Sequence, residues 1–422
     1  MIDQTFSARN LLRLTTRLDP KKYKLGKRRA DYLASLERIS EAILADDFQF
    51  SPFSVSQRAG KPVYSVTSHV DEFALRKLSD NVARVYGVQQ SNRSEIIGQV
   101  IPLLREKVPL FLLKLDVKSF YESINRVALL ELIAKDSSLS FRSKLLLDQL
   151  LGNAKHFPGP GLPRGVNLSA TLSELYMKEF DFAARGIEGV YFYARFVDDI
   201  LIFSYASPEP VKIALQKILP TGMNFNDDKE CILGFDRNGN CAIFNKTPDI
   251  SYLGYKFVFR PPSALPQGKQ PKGTAAPPSP PRLVIKIAAS KLLKMQRRIM
   301  LAIFSFFRNR DVALLTDRIR FLTGNCRMKR DGDNGMLLTG IYYNYSHIDE
   351  SGISELKSLT QFMRRAILSK RGAFGRKLQT YLTNEQRRLL ISYCFETGFK
   401  EKITHKSTPE RLKQIKECWR HV

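Results

Sequence analysis

The stretch Phe196-Val197-Asp198-Asp199-Ile200-Leu201-Ile202-Phe203 places two adjacent aspartates between apolar residues. Apolar runs on both sides of a short polar pair predict a buried β-hairpin with the two carboxylates at its turn. Two like charges held this close repel each other unless a cation lies between them. The segment therefore predicts a metal site, and carboxylate oxygens as ligands favour Mg²⁺.

The charge of the chain indicates a polyanionic partner. Its 422 residues include 67 Lys and Arg against 41 Asp and Glu, a formal net charge of +26, whereas 43% hydrophobic residues is ordinary for folded domains. Such an excess disfavours compaction unless a polyanion shares the surface. Nucleic acid is the favoured partner, because phosphate contacts by Lys and Arg release counterions. The alternative is a basic protein that merely adheres to RNA or to membranes.

Cysteine usage and hydropathy indicate a compartment. Five cysteines without a CxxC pair disfavour both a disulfide framework and a zinc site, which fits a reducing environment. The chain has no apolar stretch of about 18 residues, the length a membrane-spanning helix needs. The start, Met1–Thr5, lacks the basic and apolar regions of a signal peptide. We expect a cytoplasmic protein without a membrane partner.

A third carboxylate, Asp116, ends the apolar run Phe111–Asp116, which reads as a buried strand. Strands paired in one sheet would bring Asp116 to Asp198 and Asp199. Three carboxylates there could hold two Mg²⁺ ions roughly 4 Å apart, an arrangement that serves phosphoryl transfer. The alternative is a helix N-cap at Asp116 and a plain turn at Asp198-Asp199, which a lone Asp-Asp pair would favour.

Five segments, in one order along the chain, resemble the palm motifs of reverse transcriptases. In the first, a catalytic aspartate is followed five residues later by an aromatic residue, as Asp116 is by Tyr121. The third carries aromatic-x-Asp-Asp, and the fifth resembles the primer-grip strand with Leu253 and Gly254 at its centre. The clear resemblance covers about residues 55–260 and weakens over 282–345. The five segments are Leu115–Tyr121, Leu162–Ser169, Phe196–Asp199, Asn226–Lys229 and Tyr252–Tyr255.

The resemblance implies an α+β fold: a right-hand polymerase with fingers and a ferredoxin/RRM-like palm, followed by a helical thumb. Eight prolines in 261–281 indicate a mobile loop between two strands and not a domain. The expected regions are a basic helical N-terminal region (1–54), fingers (55–110), the palm (111–260, with fingers elements between 125 and 160), the Pro-rich loop (261–281), a primer-grip strand with a helical thumb (282–350), and a helical basic C-terminal region (351–422).

The resemblance also implies the metal ligands. Asp116 and Asp198 would be the principal ligands of two Mg²⁺ ions, with Asp199 and the main-chain carbonyl of Val117 assisting. Mn²⁺ is the alternative ion. Lys229 would protonate the pyrophosphate leaving group as a general acid. The alternative for Lys229 is a solvated lysine in a turn.

Nucleotide-binding residues follow from the same resemblance. Tyr121 would be the steric gate whose ring fills the space that a ribose 2′-hydroxyl needs, so that dNTPs are the substrates, and Phe120 lies beside it in the sequence. The alternative for Tyr121 is an aromatic residue packed within a helix. In the second motif Arg164 stands before Gly165, where many reverse transcriptases have glutamine. Its guanidinium could contact the incoming phosphates or the template. In the third motif Val197 replaces the commoner alanine.

Cations of the fingers are candidates to clamp the triphosphate, because positive charge is needed along the phosphate chain. Arg58 and Lys61 are the first candidates, and Arg76 and Lys77 compete for the role.

A second group of candidates lies in the expected thumb. Arg318 and Arg320 precede Tyr342 and Tyr343, and aromatic side chains beside cations suit stacking on unpaired bases. The alternative is ordinary packing of these tyrosines on a helix face.

Compactness, basic ends and the lack of nuclease or integrase motifs resemble the bacterial defence-associated reverse transcriptases of the unknown groups. The segments Arg318–Asn325 and Gly340–Tyr345 resemble most the smaller polymerase of type 3 systems. This resemblance implies a structured noncoding RNA as template, a DNA product, a second reverse transcriptase as partner and a role in anti-phage defence in the bacterial cytoplasm. Two alternatives stay open: a retron or group II intron type of reverse transcriptase, and a catalytically inactive RNA-binding scaffold.

Overall fold

The computed structural model describes residues 2–16, 19–58, 60–106, 108, 110–152, 156–237, 239–260, 282–329 and 336–420. They divide into two compact units, Met1–Arg237 with Ala242–Lys246, and Asn238–Cys241 with Thr247–Val422. Helices and strands are mixed in both units, which confirms the predicted α+β class. The layout of fingers, palm and thumb stays a prediction.

Within its described residues, the first unit contains eleven α-helices, a short 3-10 helix and most of seven strands, with Cys241 of the last strand in the second unit. The helices are α1 (Ala8–Arg13), α2 (Asp19–Lys22), α3 (Arg29–Leu44), α4 (His69–Tyr86), α5 (Arg93–Arg105), α6 (Phe120–Ser123), α7 (Arg126–Lys135), α8 (Phe141–Leu151), α9 (Asn167–Tyr176), α10 (Lys178–Arg185) and α11 (Pro208–Ile218), with the 3-10 helix at Asp227–Lys229. The strands are β1 (Ser54–Arg58), β2 (Lys61–Ser65), β3 (Leu110–Asp116), β4 (Val190–Phe196), β5 (Asp199–Ser204), β6 (Cys231–Phe235) and β7 (Cys241–Phe244).

A five-stranded sheet of order β4-β5-β3-β6-β7 forms the centre of this unit. β5 and β6 pair antiparallel with β3 on its two sides, and β4 pairs antiparallel with β5. Adjacent residues of a strand point to opposite faces of the sheet. The neighbours Leu112 and Leu113 of β3 are both fully buried, so both faces of the sheet are covered. This burial explains why β3 and β5 read as nearly continuous apolar runs, and the predicted hairpin and strand are confirmed.

Local sequence also sets the region that the sequence predicts to be the fingers. β1 and β2 form the hairpin expected around Gly60, with Arg58 opposite Lys61. α4 begins after Ser68, whose side chain accepts a hydrogen bond from Val70 N, and ends at Gly87 in the left-handed conformation.

The second unit contains eight helices and six strands within its described residues. The helices are α12 (Ala289–Asn309), α13 (Val312–Thr323), α14 (Ile341–Asn344), α15 (Glu350–Ile367), α16 (Gly372–Tyr381), α17 (Asn384–Ser392), α18 (Phe395–Lys400) and α19 (Pro409–Glu417). The strands are β8 (Asp249–Tyr252), β9 (Tyr255–Arg260), β10 (Arg282–Ile287), β11 (Asn325–Lys329), β12 (Met336–Gly340) and β13 (Thr404–His405).

The Pro-rich segment 261–281 lies outside the described residues, but its two flanking strands are defined. β9 and β10 pair antiparallel, with Arg260 opposite Arg282, so the segment connects neighbouring strands as predicted. β8 and β9 belong to the second unit, because β9 pairs with β8 and β10 and not with the five-stranded sheet. The palm expected from the sequence extends to residue 260 and therefore includes these two strands. Within the described residues, no helix has both the length and the apolar character needed to cross a membrane.

Candidate catalytic site

Three aspartates meet at one end of the five-stranded sheet. Asp116 is the last residue of β3 and lies opposite Asp199, the first residue of β5. Asp198 occupies the β4–β5 turn, and its carbonyl accepts a hydrogen bond of 3.0 Å from Val117 N. The hydrogen-bonded register of two central strands therefore places all three carboxylates together, as the sequence predicted.

The turn that carries Asp198 is held by a buried arginine. Val197 has φ of 59°, a conformation that is unfavourable for a β-branched residue and persists only where its surroundings impose it. Arg195 donates to the Val197 carbonyl at 3.1 Å and pairs with Glu174 and Asp181 at 2.6 Å each. Its side chain is only 3% exposed, so this ion cluster fixes the turn from inside the protein. The sequence analysis missed it because its two acids lie on α9 and α10.

The carboxylates lack full charge compensation. Burial raises the pKa of Asp198, and the negative charge of Asp116 adds to that effect. Burial also raises the pKa of Asp199, against the opposing charge of Lys114, whose Nζ lies 3.8 Å from Asp199 Oδ1. Both shifts favour the protonated form of these acids, because burial and neighbouring negative charge disfavour ionisation.

Lys229 supplies positive charge to the third carboxylate. Its Nζ lies 2.8 Å and 3.0 Å from the two carboxylate oxygens of Asp116, and this hydrogen bond raises the pKa of Lys229. Asn226 adds a hydrogen bond of 3.3 Å from Nδ2 to Asp116 Oδ2, and its N–H donates to the Asp116 carbonyl at 2.8 Å. The 3-10 helix after Asn226 thus brings Lys229 to the site. There Lys229 is paired with the carboxylate of Asp116.

The donor chemistry of the site fits Mg²⁺ or Mn²⁺, since these ions prefer carboxylate oxygens. In the part of the chain that the structure describes, however, no three His, Cys, Asp or Glu side chains form a ready-made metal site. Lys229 instead contacts both oxygens of Asp116. Asp198 and Asp199 are half-buried, and the raised pKa of each favours its neutral form in the absence of a further cation.

Tyr121 lies beside these carboxylates, at the start of the short helix α6. Its half-buried ring makes an edge contact with Phe120, with centroids 5.3 Å apart, and Arg164 Cζ lies 5.6 Å from its centroid. Burial raises the pKa of Tyr121, and the charge of Asp198 contributes to the shift. Phe120 is only 2% exposed and packs in the core, so it supports Tyr121 and offers little surface to a substrate.

Glu122 ties the second motif to the fingers, and the sequence analysis overlooked it. Arg164 donates to its two oxygens at 2.6 Å and 3.0 Å, and Lys61 Nζ lies 3.3 Å from Oε1. Although burial opposes the change, these hydrogen bonds lower the pKa of Glu122 to about 2. The available signal was an acid directly after Tyr121, the residue that the sequence predicts to be the sugar gate.

Gly165 is required where the second motif meets the fingers hairpin. Tyr64 N donates to the Arg164 carbonyl at 2.7 Å, and Gly165 has φ of 91°. A Cβ on Gly165 would lie 2.4 Å from the Tyr64 carbonyl oxygen. Only glycine allows this close approach, which holds Lys61 and Arg164 together at Glu122.

The competing fingers cations, Arg76 and Lys77, are engaged in structural ion pairs. Arg76 bonds Asp19 and Glu72, at 2.5 Å and 2.9 Å. Lys77 is 1% exposed and bonds Asp80 at 2.9 Å. Neither is placed to receive a triphosphate, which leaves Arg58 and Lys61 on the hairpin as the candidates.

The predicted nucleic-acid contacts of the second unit separate into two kinds. Arg318 is 2% exposed and donates to the main-chain carbonyls of Gln414 and Ile415, so it closes the end of α19 and does not suit a nucleic-acid contact. Arg320 is more exposed and lies 3.2 Å from His405 Nδ1.

Tyr342 and Tyr343 are half-buried, with ring centroids 5.2 Å apart. Lys402 Nζ lies 4.5 Å from the Tyr342 centroid. Leu253 and Gly254 form the β8–β9 turn, both with positive φ. A primer-grip role for this turn stays a prediction.

The match to a known family covers part of the first unit and the start of the second. Residues 74–257 match the sequence model of the reverse transcriptase (RNA-dependent DNA polymerase) family. No curated protein matches significantly. Similar solved structures include apo telomerase from Candida tropicalis truncated from its C-terminal domain (14% identity, TM-score 0.35, 50% of this chain and 54% of that chain). Another is telomerase from Candida albicans with a TWJ fragment of telomeric RNA (13% identity, TM-score 0.39, 88% of this chain and 62% of that chain).

This chain thus spans 54% and 62% of the lengths of those two telomerase structures. The family match includes Asp116, Asp198, Asp199 and Lys229, and it supports the predicted RNA-directed DNA polymerase activity. Residues 74–257 are therefore similar in sequence to the reverse transcriptase family.

Proposed function

We propose that this protein is an RNA-directed DNA polymerase that extends a primer with dNTPs. The observation that carries the proposal is the register of β3 and β5, which places Asp116 opposite Asp199 with Asp198 in the adjoining turn. These carboxylates lie within the residues that match the reverse transcriptase family.

Asp116 and Asp198 would be the principal ligands of two divalent ions, with Asp199 and the Val117 carbonyl assisting. When bound, such ions activate the attacking hydroxyl and neutralise charge on the leaving group. The protein itself holds the carboxylates at the end of a buried sheet, with Asp116 buried and Asp198 and Asp199 half-buried.

Lys229 would provide the proton for the leaving group. In the reaction, the primer 3′-oxygen bonds to the α-phosphorus of the dNTP while the bond from that phosphorus to pyrophosphate breaks. Lys229 Nζ would donate its proton to the departing oxygen. Because its side chain is 57% exposed, Lys229 has room to move away from Asp116.

Tyr121 would select the sugar. Its ring contacts Phe120 edge-on and lies near the Arg164 guanidinium and the charge of Asp198. A ring held in this way excludes a 2′-hydroxyl by steric overlap and leaves a deoxyribose unaffected.

Lys61 and Arg164 would bind the triphosphate, with Arg58 in reach on the same hairpin. Lys61 and Arg164 both form ion pairs with Glu122, so their charged groups lie close together. An incoming triphosphate is a stronger anionic partner of the same kind.

The net charge of +26 supports a bound nucleic acid. The sequence resemblance to defence-associated reverse transcriptases extends the proposal to a structured noncoding RNA template, a second reverse transcriptase as partner and anti-phage defence in a bacterial cytoplasm.

The test uses the purified full chain with its copurified nucleic acid, labelled dNTPs and Mg²⁺. We expect labelled DNA from wild type, and a sequence complementary to the copurified RNA. Asp198→Asn should abolish incorporation, whereas Asp228→Asn, which changes an exposed aspartate beside Lys229, should retain it.

Incorporation that survives Asp198→Asn would contradict the assignment of the site. A wild-type protein that binds RNA without incorporating any nucleotide would instead support the inactive scaffold. Copurification of a second polymerase chain tests the proposed partner.

A further inference from the structure

Four aromatic side chains from α12 and α16 form a connected cluster in the second unit. Phe304 and Phe307 both contact Phe374, with ring centroids 5.8 Å and 5.4 Å apart, and Phe307 also contacts Tyr381 at 6.3 Å. Phe304 is 48% exposed, and the other three rings are half-buried. The cluster therefore presents ring surface to solvent.

This cluster is not required to fill the core. The core-facing stripe of α12 consists of Ile299, Ala302, Ile303 and Phe306, all buried. Phe304 and Phe307 lie on the adjacent face of the helix. α16 likewise buries Gly375 and Leu378, not Phe374. One exposed ring and three half-buried rings, all outside the core stripe, indicate a binding surface.

Cations surround these rings without any opposing acid in the two helices. Arg310 Cζ lies 3.0 Å from the Tyr381 centroid, and Lys377 Nζ lies 5.9 Å from that of Phe307. Arg308 and Arg376 are exposed on the same helices. α12 and α16 contain no Asp or Glu. The surface thus combines aromatic rings with several cations, and neither helix contributes an acid to it.

We propose that this α12–α16 surface, formed by Phe304, Phe307, Phe374, Tyr381 and the cations Arg308, Arg310 and Lys377, binds single-stranded RNA. An unpaired base would stack on the exposed ring of Phe304, since every base has a π-face and stacking does not require a particular sequence. The neighbouring cations would contact the backbone phosphates on either side of that base.

This inference goes beyond the proposed polymerase activity, because it concerns a strand that is bound outside the reverse transcriptase domain. An anionic membrane surface would also attract cations and phenylalanines. Base stacking accounts better for rings that are held in edge contact with one another and topped by a guanidinium, an arrangement that fixes their orientation.

The experiment places a fluorescent reporter at the proposed stacking position. The chain has one tryptophan, Trp419, which is 5% exposed, so Phe304→Trp adds a distinct exposed indole. The matched control is Leu293→Trp, at a residue of the same helix that is 64% exposed and lies outside the cluster. Each variant of the full chain is titrated with a single-stranded RNA of about 16 nucleotides.

We expect the RNA to quench the indole introduced by Phe304→Trp, saturably, and to leave that of Leu293→Trp nearly unchanged. In the Phe304→Trp protein, adding Arg310→Gln and Lys377→Gln should weaken the quenching roughly tenfold and reduce its salt dependence. An RNA–DNA duplex of equal length should quench much less, because its bases are already stacked.

Equal quenching at the two positions, or equal quenching by the duplex, would overturn the proposal. So would a spectral shift with phosphatidylserine vesicles in the absence of any response to RNA. These outcomes do not depend on nucleotide incorporation, so they are separate from a failure of the polymerase assignment.

Discussion

Lys229 holds the carboxylate of Asp116 in an ion pair with both oxygens, with Nζ at 2.8 Å and 3.0 Å. A cation on a flexible side chain thus occupies an aspartate that the proposed chemistry needs as a metal ligand. The lysine and a divalent ion would compete for the same oxygens.

The first prediction follows from this competition. Lys229→Gln should bind Mn²⁺ several-fold more tightly than wild type, because the ammonium no longer neutralises Asp116, yet its kcat should fall on the order of 100-fold for lack of a proton donor. Isothermal titration with Mn²⁺ and single-turnover extension measure the two effects. Lys212→Gln, which removes a lysine paired with Glu230, is the control. Unchanged values of both quantities would remove Lys229 from the site.

The second prediction concerns the sugar gate. Tyr121→Ala should reduce the preference for dNTPs over NTPs, as a ratio of kcat/KM, by at least about tenfold, because the excluded space opens. Tyr121→Phe should keep that preference, since the ring remains. Steady-state kinetics with matched dNTP and NTP substrates measure it. If Tyr121→Ala discriminates as wild type does, another residue is the gate.

The third prediction concerns Glu122. Its pKa of about 2 means that it stays ionised at any working pH and competes with a triphosphate for Lys61 and Arg164. Glu122→Gln should therefore lower the KM for dNTP several-fold with little change in kcat. The exposed Glu131→Gln serves as control. A higher KM would show instead that the carboxylate orients the two cations for the phosphates.

The fourth prediction tests the contact between the second motif and the fingers. Gly165→Ala combines a left-handed backbone with a Cβ 2.4 Å from the Tyr64 carbonyl, and it should cost about 2–3 kcal/mol of unfolding free energy. Gly60 also has a positive φ, of 74°, but a Cβ there would have no atom within 4 Å. Gly60→Ala should therefore cost only about 1 kcal/mol of unfolding free energy. Urea denaturation of both variants measures the difference. Equal losses would exclude a steric contribution.

The sequence predicted the three aspartates, which lie at the paired ends of the adjacent strands β3 and β5. Apolar runs revealed β3 and β5, and the pairing of their ends explains why Asp116, Asp198 and Asp199 meet. The partners of charged side chains were not predictable in this way. The Lys229–Asp116 pair joins residues 113 positions apart, and no local pattern encodes it.

Basic residues were the hardest to interpret, because a charge in a sequence does not reveal its burial. Arg318 and Lys77 both belong to basic stretches that suggested phosphate contacts, yet each is almost fully buried against main-chain carbonyls or an acid. Glu122 was overlooked for the same reason, since its two partners come from β2 and from the loop before α9.

The last prediction concerns the buried ion cluster beneath the Asp198 turn. Arg195→Met leaves Glu174 and Asp181 without their cation, and removal of one partner from a buried pair typically costs about 3–5 kcal/mol. It also removes the hydrogen bond to the Val197 carbonyl, so polymerase activity should fall even where the protein stays folded.

The control for this prediction is Arg185→Met, which removes an exposed guanidinium 5.3 Å from the Tyr193 ring. It should cost under about 1 kcal/mol and leave activity unchanged. Denaturation and primer extension below the unfolding transition separate the two effects. If the Arg195→Met protein is as stable as the Arg185→Met protein, the ion cluster does not contribute to the free energy of unfolding. A stable protein that nevertheless lost activity would assign Arg195 to positioning Asp198 alone.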